Sequence, residues 1–138
     1  MEFELDGRLA SDSIAIGSMA LCDLRLMNDM RWPWLMLVPR RTGAVEIHDL
    51  MREDIFQLAA ETALTSQALK QFTGCMKINT AAIGNIVRQL HIHVIARDET
   101  DPNWPGPVWG HGQRLRYEKA EREATIAGLT DALGSHFV

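Results

Sequence analysis

The chain is poor in cysteine. Cys22 and Cys75 are its only two, and they form no C-x-x-C pair. Nothing asks for a disulfide framework, and the pair reads as two buried thiols in a reducing cytosol. No apolar run is long enough to span a bilayer, so no membrane partner is expected. The opening residues, MEFELDGRLA, set Glu2, Glu4 and Asp6 ahead of any apolar run, unlike a secretory signal. A cytoplasmic location is the expectation. Positive charge is also short: 14 Lys and Arg stand against 18 Asp and Glu, for a formal net charge of −4. An extended nucleic-acid surface needs a basic stripe, so no nucleic-acid partner is expected. A small phosphorylated ligand stays open, because a few local donors and cations can hold it on an acidic protein. Repeats and low-complexity segments are absent.

What is present fits one domain over residues 1–138. The apolar share of 46% and charged share of 23% are ordinary for a globular chain that buries a single core. DSIAIGSMA holds a short apolar run that reads as a strand. CDLRLMND alternates until Asn28-Asp29, and PWLMLVP is an apolar run between Pro33 and Pro39. These last two read as antiparallel strands joined by the loop NDMRWP, which has room to carry function. HDLMREDIFQLAAETALTSQALKQFTG predicts one long helix. Asp49 is its expected cap, Glu53 and Asp54 suit its first turn, and Gly74 is its stop. CMKINTAAI and VRQLHIHVIA read as two further strands around a Gly84-Asn85 turn. DETDPNWPGPVWGHG is irregular, and RLRYEKAEREATIAGLTDALG closes as an amphipathic helix. Strands, a helix, strands and a last helix make an α+β pattern on an antiparallel sheet.

Chemistry gathers at QLHIHVIAR. Alternate side chains of a strand share a face, so Gln89, His91 and His93 are expected together, with Leu90, Ile92 and Val94 opposite them. Two imidazoles on one face can act as nucleophile and neighbouring hydrogen-bonding group. They can also supply two ligands to a metal, but zinc needs a third and usually a fourth. His48, His111 and His136 do not stand with carboxylates at a ligand spacing, so no metal site is assigned. The bland alternative is a pair of hydrogen-bonded surface histidines, and a bare His-x-His favours it. Trp32, Trp34, Trp104 and Trp109 suit base stacking or an interface, or simply cover the edge of the core. Arg40 and Arg97 suit phosphate steering or a solvated surface. The seven Met read as core filling.

The context of the motif adds to this. NTAAIGNIVRQLHIHVIARD resembles the signature strand pair of the histidine triad (HIT) family. There, a strand bearing Asn is followed by Gly and an amide residue, and the next strand carries His-x-His-x-His. Asn79, Gly84 and Asn85 match the lead-in, and His91 and His93 match the second and third histidines. MNDMRWPWLMLVPRR is similar to the family's hairpin, and NWPGPVW to loops that follow the triad. The likeness spans roughly residues 10–110, leaving a C-terminal loop and helix over 111–138. It implies a HIT-like antiparallel sheet of about five strands, with one long helix between strands and a C-terminal helix. It also implies a homodimer whose sheets join, and a nucleotide or nucleotide-derived small molecule as ligand, without a cofactor.

By the resemblance, His91 attacks the α-phosphate and carries a transient nucleotidyl group, and His93 hydrogen-bonds the phosphate or the leaving-group oxygen. Asn85 donates to a phosphate oxygen, Asn28 holds the ribose, Asn79 belongs to the nucleotide site, and Gly84 lets the backbone pass close to the ligand. Two positions depart from the pattern. Gln89 stands where the first triad histidine belongs, and Leu35 stands where the hairpin often has histidine. Gln89 can donate and accept a hydrogen bond but cannot become a cation. The expected function is a nucleotide hydrolase or nucleotidyl transferase acting on a dinucleoside polyphosphate or a nucleoside phosphoramidate. A non-catalytic nucleotide-binding module with a degraded triad is the alternative. A metal-dependent enzyme using His91 and His93 is the third reading.

Overall fold

Five short strands pair into one antiparallel sheet with two different faces. The computed structural model describes residues 2–138. The strands are β1 (Ser13–Ser18), β2 (Cys22–Met27), β3 (Trp34–Pro39), β4 (Lys77–Ala81) and β5 (Ile92–Arg97), in the order β1-β2-β3-β5-β4. All four pairings are antiparallel. Three helices complete the fold: α1 (Gly7–Asp12), α2 (Arg52–Thr73) and α3 (Lys119–Leu133). None of the described helices is long and apolar enough to cross a membrane.

One face carries Leu24, Leu26, Leu35, Leu37, Ile92, Val94 and Ala96 into the main core, against Leu58 and Leu69 of α2 and Leu129 and Leu133 of α3. The buried Glu61 of α2 ties helix to sheet by accepting the Leu21 and Cys22 N–H groups at 2.9 and 2.8 Å. Burial, and then the Glu61 carboxylate, push the Cys22 thiol far above its usual range, which keeps it protonated and inert. Both cysteines are free and buried. The opposite face is covered from two sides. Leu9, Met36 and Val38 cluster with Phe3 and Leu5 on one flank. Trp32, Trp34, Ile95 and Val108 cluster with Trp109 on the other. His93 pairs with Met36 of the first flank and bonds Trp34 of the second.

Several expectations need correction. The strand expected from Val87 begins only at Ile92, so Gln89 and His91 precede it. The Leu90 N–H donates to the Ala44 carbonyl instead of to a neighbouring strand. Asp49 does not cap α2, whose first flanking residue is Met51. Its carboxylate instead accepts the Val45 and Glu46 N–H groups and closes a separate 3₁₀ turn, Ile47–Asp49. Gly74, with φ +68, ends α2 as expected. The last helix starts at Lys119, five residues after Arg114. Gly134 keeps a right-handed helical conformation there and leads into a 3₁₀ turn. Arg97 is neither solvated nor free to steer phosphate, being buried against Asp101. Met51 and Met76 are exposed, so the Met residues are only partly core. The helix α1 has no counterpart among the expected elements.

Candidate active site

Gly84 lies at φ +68, a left-handed conformation that the turn into the site requires. A Cβ there would also stand 3.2 Å from the Val87 carbonyl oxygen. Beyond the turn, a cleft of about 460 Å³ opens over the second face of the sheet. His91 and His93 contribute to it, with Gly84 and Asn85 from the turn and Trp109 from the far flank. Arg8, Leu9 and Asp12 of α1 form another wall. Asp12 is ion-paired to Arg8 at 3.8 Å and to Arg114 at 3.2 Å. A smaller hollow on the other side of His91, about 240 Å³, is lined by Glu46, His48, Arg88 and Gln89 among others.

The two imidazoles are 6% and 5% exposed, and their ring centres stand 4.8 Å apart at 76°. Their partners assign their protons. His91 Nδ1 lies 2.7 Å from the Gln89 backbone carbonyl oxygen. A carbonyl only accepts, so Nδ1 carries the hydrogen, and the neutral ring keeps its lone pair on Nε2. His93 Nδ1 lies 2.9 Å from Trp34 Nε1. An indole N–H only donates, so this Nδ1 carries the lone pair and Nε2 the hydrogen. The neighbours are therefore opposite tautomers, one with a nucleophilic Nε2 and one with an Nε2–H donor. Burial, and then the proximity of His91, push the His93 pKa down to about 3. Trp109 packs against His93 and Trp34, with ring centres 5.1 and 5.7 Å away.

The other expected site residues are placed differently. Gln89 turns its side chain to the N-terminal segment: Nε2 donates to the Glu4 carbonyl at 2.9 Å, and Oε1 accepts the Asp6 N–H at 2.8 Å. Only its backbone serves His91. Asn28 Oδ1 accepts the Tyr117 N–H at 2.9 Å, and Asn28 does not line the cleft, though its neighbour Met27 does. Asn79 accepts from Arg97 Nη1 at 2.9 Å and is likewise not a cleft residue. Leu35 is fully buried in the main core, on the face away from His93. The structure thus brings together His91, His93, Gly84 and Asn85, and leaves Asn28, Asn79 and the Gln89 side chain in structural bonds. The Arg8–Asp12 wall and the Trp34 donor are absent from the sequence reading. Asp6 followed by a short mixed run is a capping signal for the first, and no local signal marks the second, because β3 and β5 are not consecutive strands. Among the described residues, no three His, Cys, Asp or Glu side chains come together to hold a metal ion.

Fold and site define an α+β protein with two buried, oppositely polarised imidazoles at the floor of a sheet-face cleft. The HIT domain family model matches residues 8–100. The chain belongs to the histidine triad family. It is similar to a histidine triad protein of Sinorhizobium meliloti at 52% identity and a TM-score of 0.93, covering 95% of this chain and 97% of that one. A Bradyrhizobium japonicum histidine triad protein is 44% identical, with a TM-score of 0.94 and coverage of 96% and 98%. One from Marinobacter aquaeolei is 41% identical, with a TM-score of 0.96 and coverage of 99% of each chain. No curated protein matches the sequence.

Proposed function

We propose that this chain is a nucleotide hydrolase or nucleotidyl transferase that works through a covalent nucleotidyl group on His91. The observation that carries the reading is the pair of opposite tautomers. The His91 Nε2 lone pair forms a bond to the α-phosphorus, and the bond from phosphorus to the leaving group breaks with its electron pair. The Gln89 carbonyl, already bonded to Nδ1–H, stabilises the positive charge that the ring gains. The Nε2–H of His93 hydrogen-bonds a phosphate or leaving-group oxygen, and Asn85 donates to the phosphate. Water or another acceptor then attacks phosphorus, its proton passing to solvent, and Nε2 departs with its lone pair restored.

The same assignment selects the leaving group. His93 is already neutral, so giving up its Nε2 proton would leave an imidazolate, and it acts as a hydrogen-bond donor only. Asp12 is held by two arginines. The cleft thus favours a group that departs as an anion, such as the nucleotide end of a dinucleoside polyphosphate, over the amine of a phosphoramidate. Rapid quench with each substrate, followed by mass spectrometry, tests both points. Label is expected on His91, with kcat/KM at least about tenfold higher for the polyphosphate, and His91→Ala is expected to lower turnover by about 10³-fold or more. Unlabelled His91 with turnover retained in His91→Ala would sink the reading.

A non-catalytic nucleotide-binding module is the second reading, favoured by the Gln89 side chain being committed elsewhere. Tight binding of AMP or GMP in calorimetry without turnover on either substrate class selects it. The partner in both cases is a nucleotide-derived small molecule, and a second copy of the chain is proposed to dock along α2 and β4.

A further inference from the structure

Gln89 occupies a triad position, yet its side chain is not aimed at the reacting groups. We infer that Gln89 is a positioning residue that clasps residues 2–6 and so holds α1 in place as a wall of the nucleotide cleft. This rests on the nucleotide reading above for the identity of the ligand, but not for the clasp itself.

The clasp is built from both ends of one amide. Oε1 accepts the Asp6 N–H at 2.8 Å, and Nε2 donates to the Glu4 carbonyl at 2.9 Å, across more than 80 residues of sequence. Asp6 is the hinge between clasp and helix. While its N–H is held by Gln89, its carboxylate caps α1 by accepting the Arg8 and Leu9 N–H groups at 2.8 and 3.4 Å. A helix of six residues has too few internal bonds to stand alone. It needs anchors at both ends. Gln89 and Asp6 supply the first, and Arg25 supplies the second through Ser13 Oγ at 2.6 Å and the Ala10 carbonyl at 3.4 Å. Between the anchors, Leu9 is buried with Met36 and Val38, and Phe3 and Leu5 pack on the same cluster. The outcome is a fixed wall that presents Arg8 and Asp12 to the cleft.

Glutamine suits this task better than histidine. A neutral imidazole also offers one donor and one acceptor, but protonation turns the acceptor into a second donor. The Asp6 N–H would then face another N–H. An amide keeps its N–H donors and its carbonyl acceptor at every working pH. The same residue also binds His91 Nδ1 through its backbone carbonyl. Arm docking and nucleophile orientation thus meet at one residue, though through different atoms.

Hydrogen exchange and nucleotide binding in Gln89→Ala, Gln89→Met and a deletion of residues 2–6 test the proposal. In both substitutions the Asp6 amide is expected to exchange about tenfold faster, the equivalent of one lost hydrogen bond. The Kd for AMP or GMP is expected to rise about five- to tenfold. The deletion should raise Kd to the same degree, and adding Gln89→Met to it should do nothing further. Gln89→Met keeps the side-chain volume and guards against a packing defect in the alanine variant. Unchanged Asp6 exchange in both substitutions overturns the clasp, as do additive effects of Gln89→Met and the deletion. Loss of nucleotidyl-His91 at saturating dinucleoside polyphosphate with Asp6 still protected also overturns it, and moves Gln89 into the reacting set. A wild-type chain that binds neither AMP nor GMP removes the nucleotide reading, while Asp6 exchange still decides the clasp.

Discussion

At the scale of single residues, the site depends on where two protons sit. Trp34 is the residue that settles one of them. Its indole N–H bonds the lone pair of His93 Nδ1 and so stabilises the neutral ring. Burial and the neighbouring His91 act in the same direction, to a pKa of about 3. Trp34→Phe keeps an aromatic ring but removes the donor. His93 is then expected to populate both tautomers, and its pKa should rise by about one unit, since one hydrogen bond of roughly 1–1.5 kcal/mol is lost. Nitrogen-detected NMR of the two rings against pH checks this. His93 should stay a single Nε2–H species above about pH 4 in the wild type. A variant ring that keeps the same tautomer and the same titration excludes Trp34 as the cause. The sign of the stability effect follows from the depressed pKa. The unfolded ring takes up a proton near pH 6.5, and the folded ring only near 3. Its contribution is therefore fully present above about pH 6.5 and is lost as pH falls toward 3. Trp34→Phe narrows that window from below.

At the scale of elements, β5 does two jobs from its two ends. Its start delivers His93 to the cleft, and its last residue, Arg97, anchors the loop that follows. Arg97 is 1% exposed. Its guanidinium bonds Asp101 at 2.7 and 3.1 Å, the Gly106 carbonyl at 2.7 Å and Asn79 at 2.9 Å. Burial alone would raise the Asp101 carboxyl, but Arg97 and nearby N–H donors bring it down to about 2. Arg97→Met fills the space and leaves that carboxylate without its cation. A loss of about 3–5 kcal/mol is expected, read as a lower denaturation midpoint. A midpoint within error of wild type would show the pair to be dispensable. The elements themselves were largely legible from the sequence. The strand β2 and the helix α2 follow apolar periodicity, and β3 stands out as a continuous apolar run buried on both faces. The start of β5 was not legible. Leu90, Ile92 and Val94 continue the alternation, but strand pairing begins only where a partner strand lies alongside. The bonds that Asn28, Asn79 and Gln89 make escaped for a related reason. Each bonds to a residue far away in sequence, and no local pattern reports Tyr117, Arg97 or Asp6 as a partner.

At the scale of the whole molecule, α2 is apolar on more than the stripe that meets the sheet. Leu58 and Leu69 are in the core, but Ala59, Thr62, Ala63 and Ser66 line an open groove of about 610 Å³ with Ile47, Thr80 and Ala81. The strand β4 bounds the groove and ends the sheet, so among the described residues one of its edges has no strand partner. Such an edge beside an apolar groove is the surface where the second copy is proposed to dock. Small residues at Ala59, Ala63 and Ser66 let a second helix approach closely. The proposed second copy would bring its own β4 and α2 to this surface, an isologous contact that closes as a dimer. The groove also borders the site. Ala82 lines both the groove and the smaller hollow at His91, and Ile83 and Gly84 run on into the main cleft. Light scattering is expected to give a dimer at micromolar concentration. Ala63→Arg places a charge in the groove without touching the cleft, and it should yield a monomer. Because residues 82–84 lose their support on the groove side, that monomer should bind AMP about three- to tenfold more weakly. A wild-type chain that is monomeric at high micromolar concentration overturns the docking surface. A monomeric Ala63→Arg with unchanged affinity would keep the interface but separate it from the cleft.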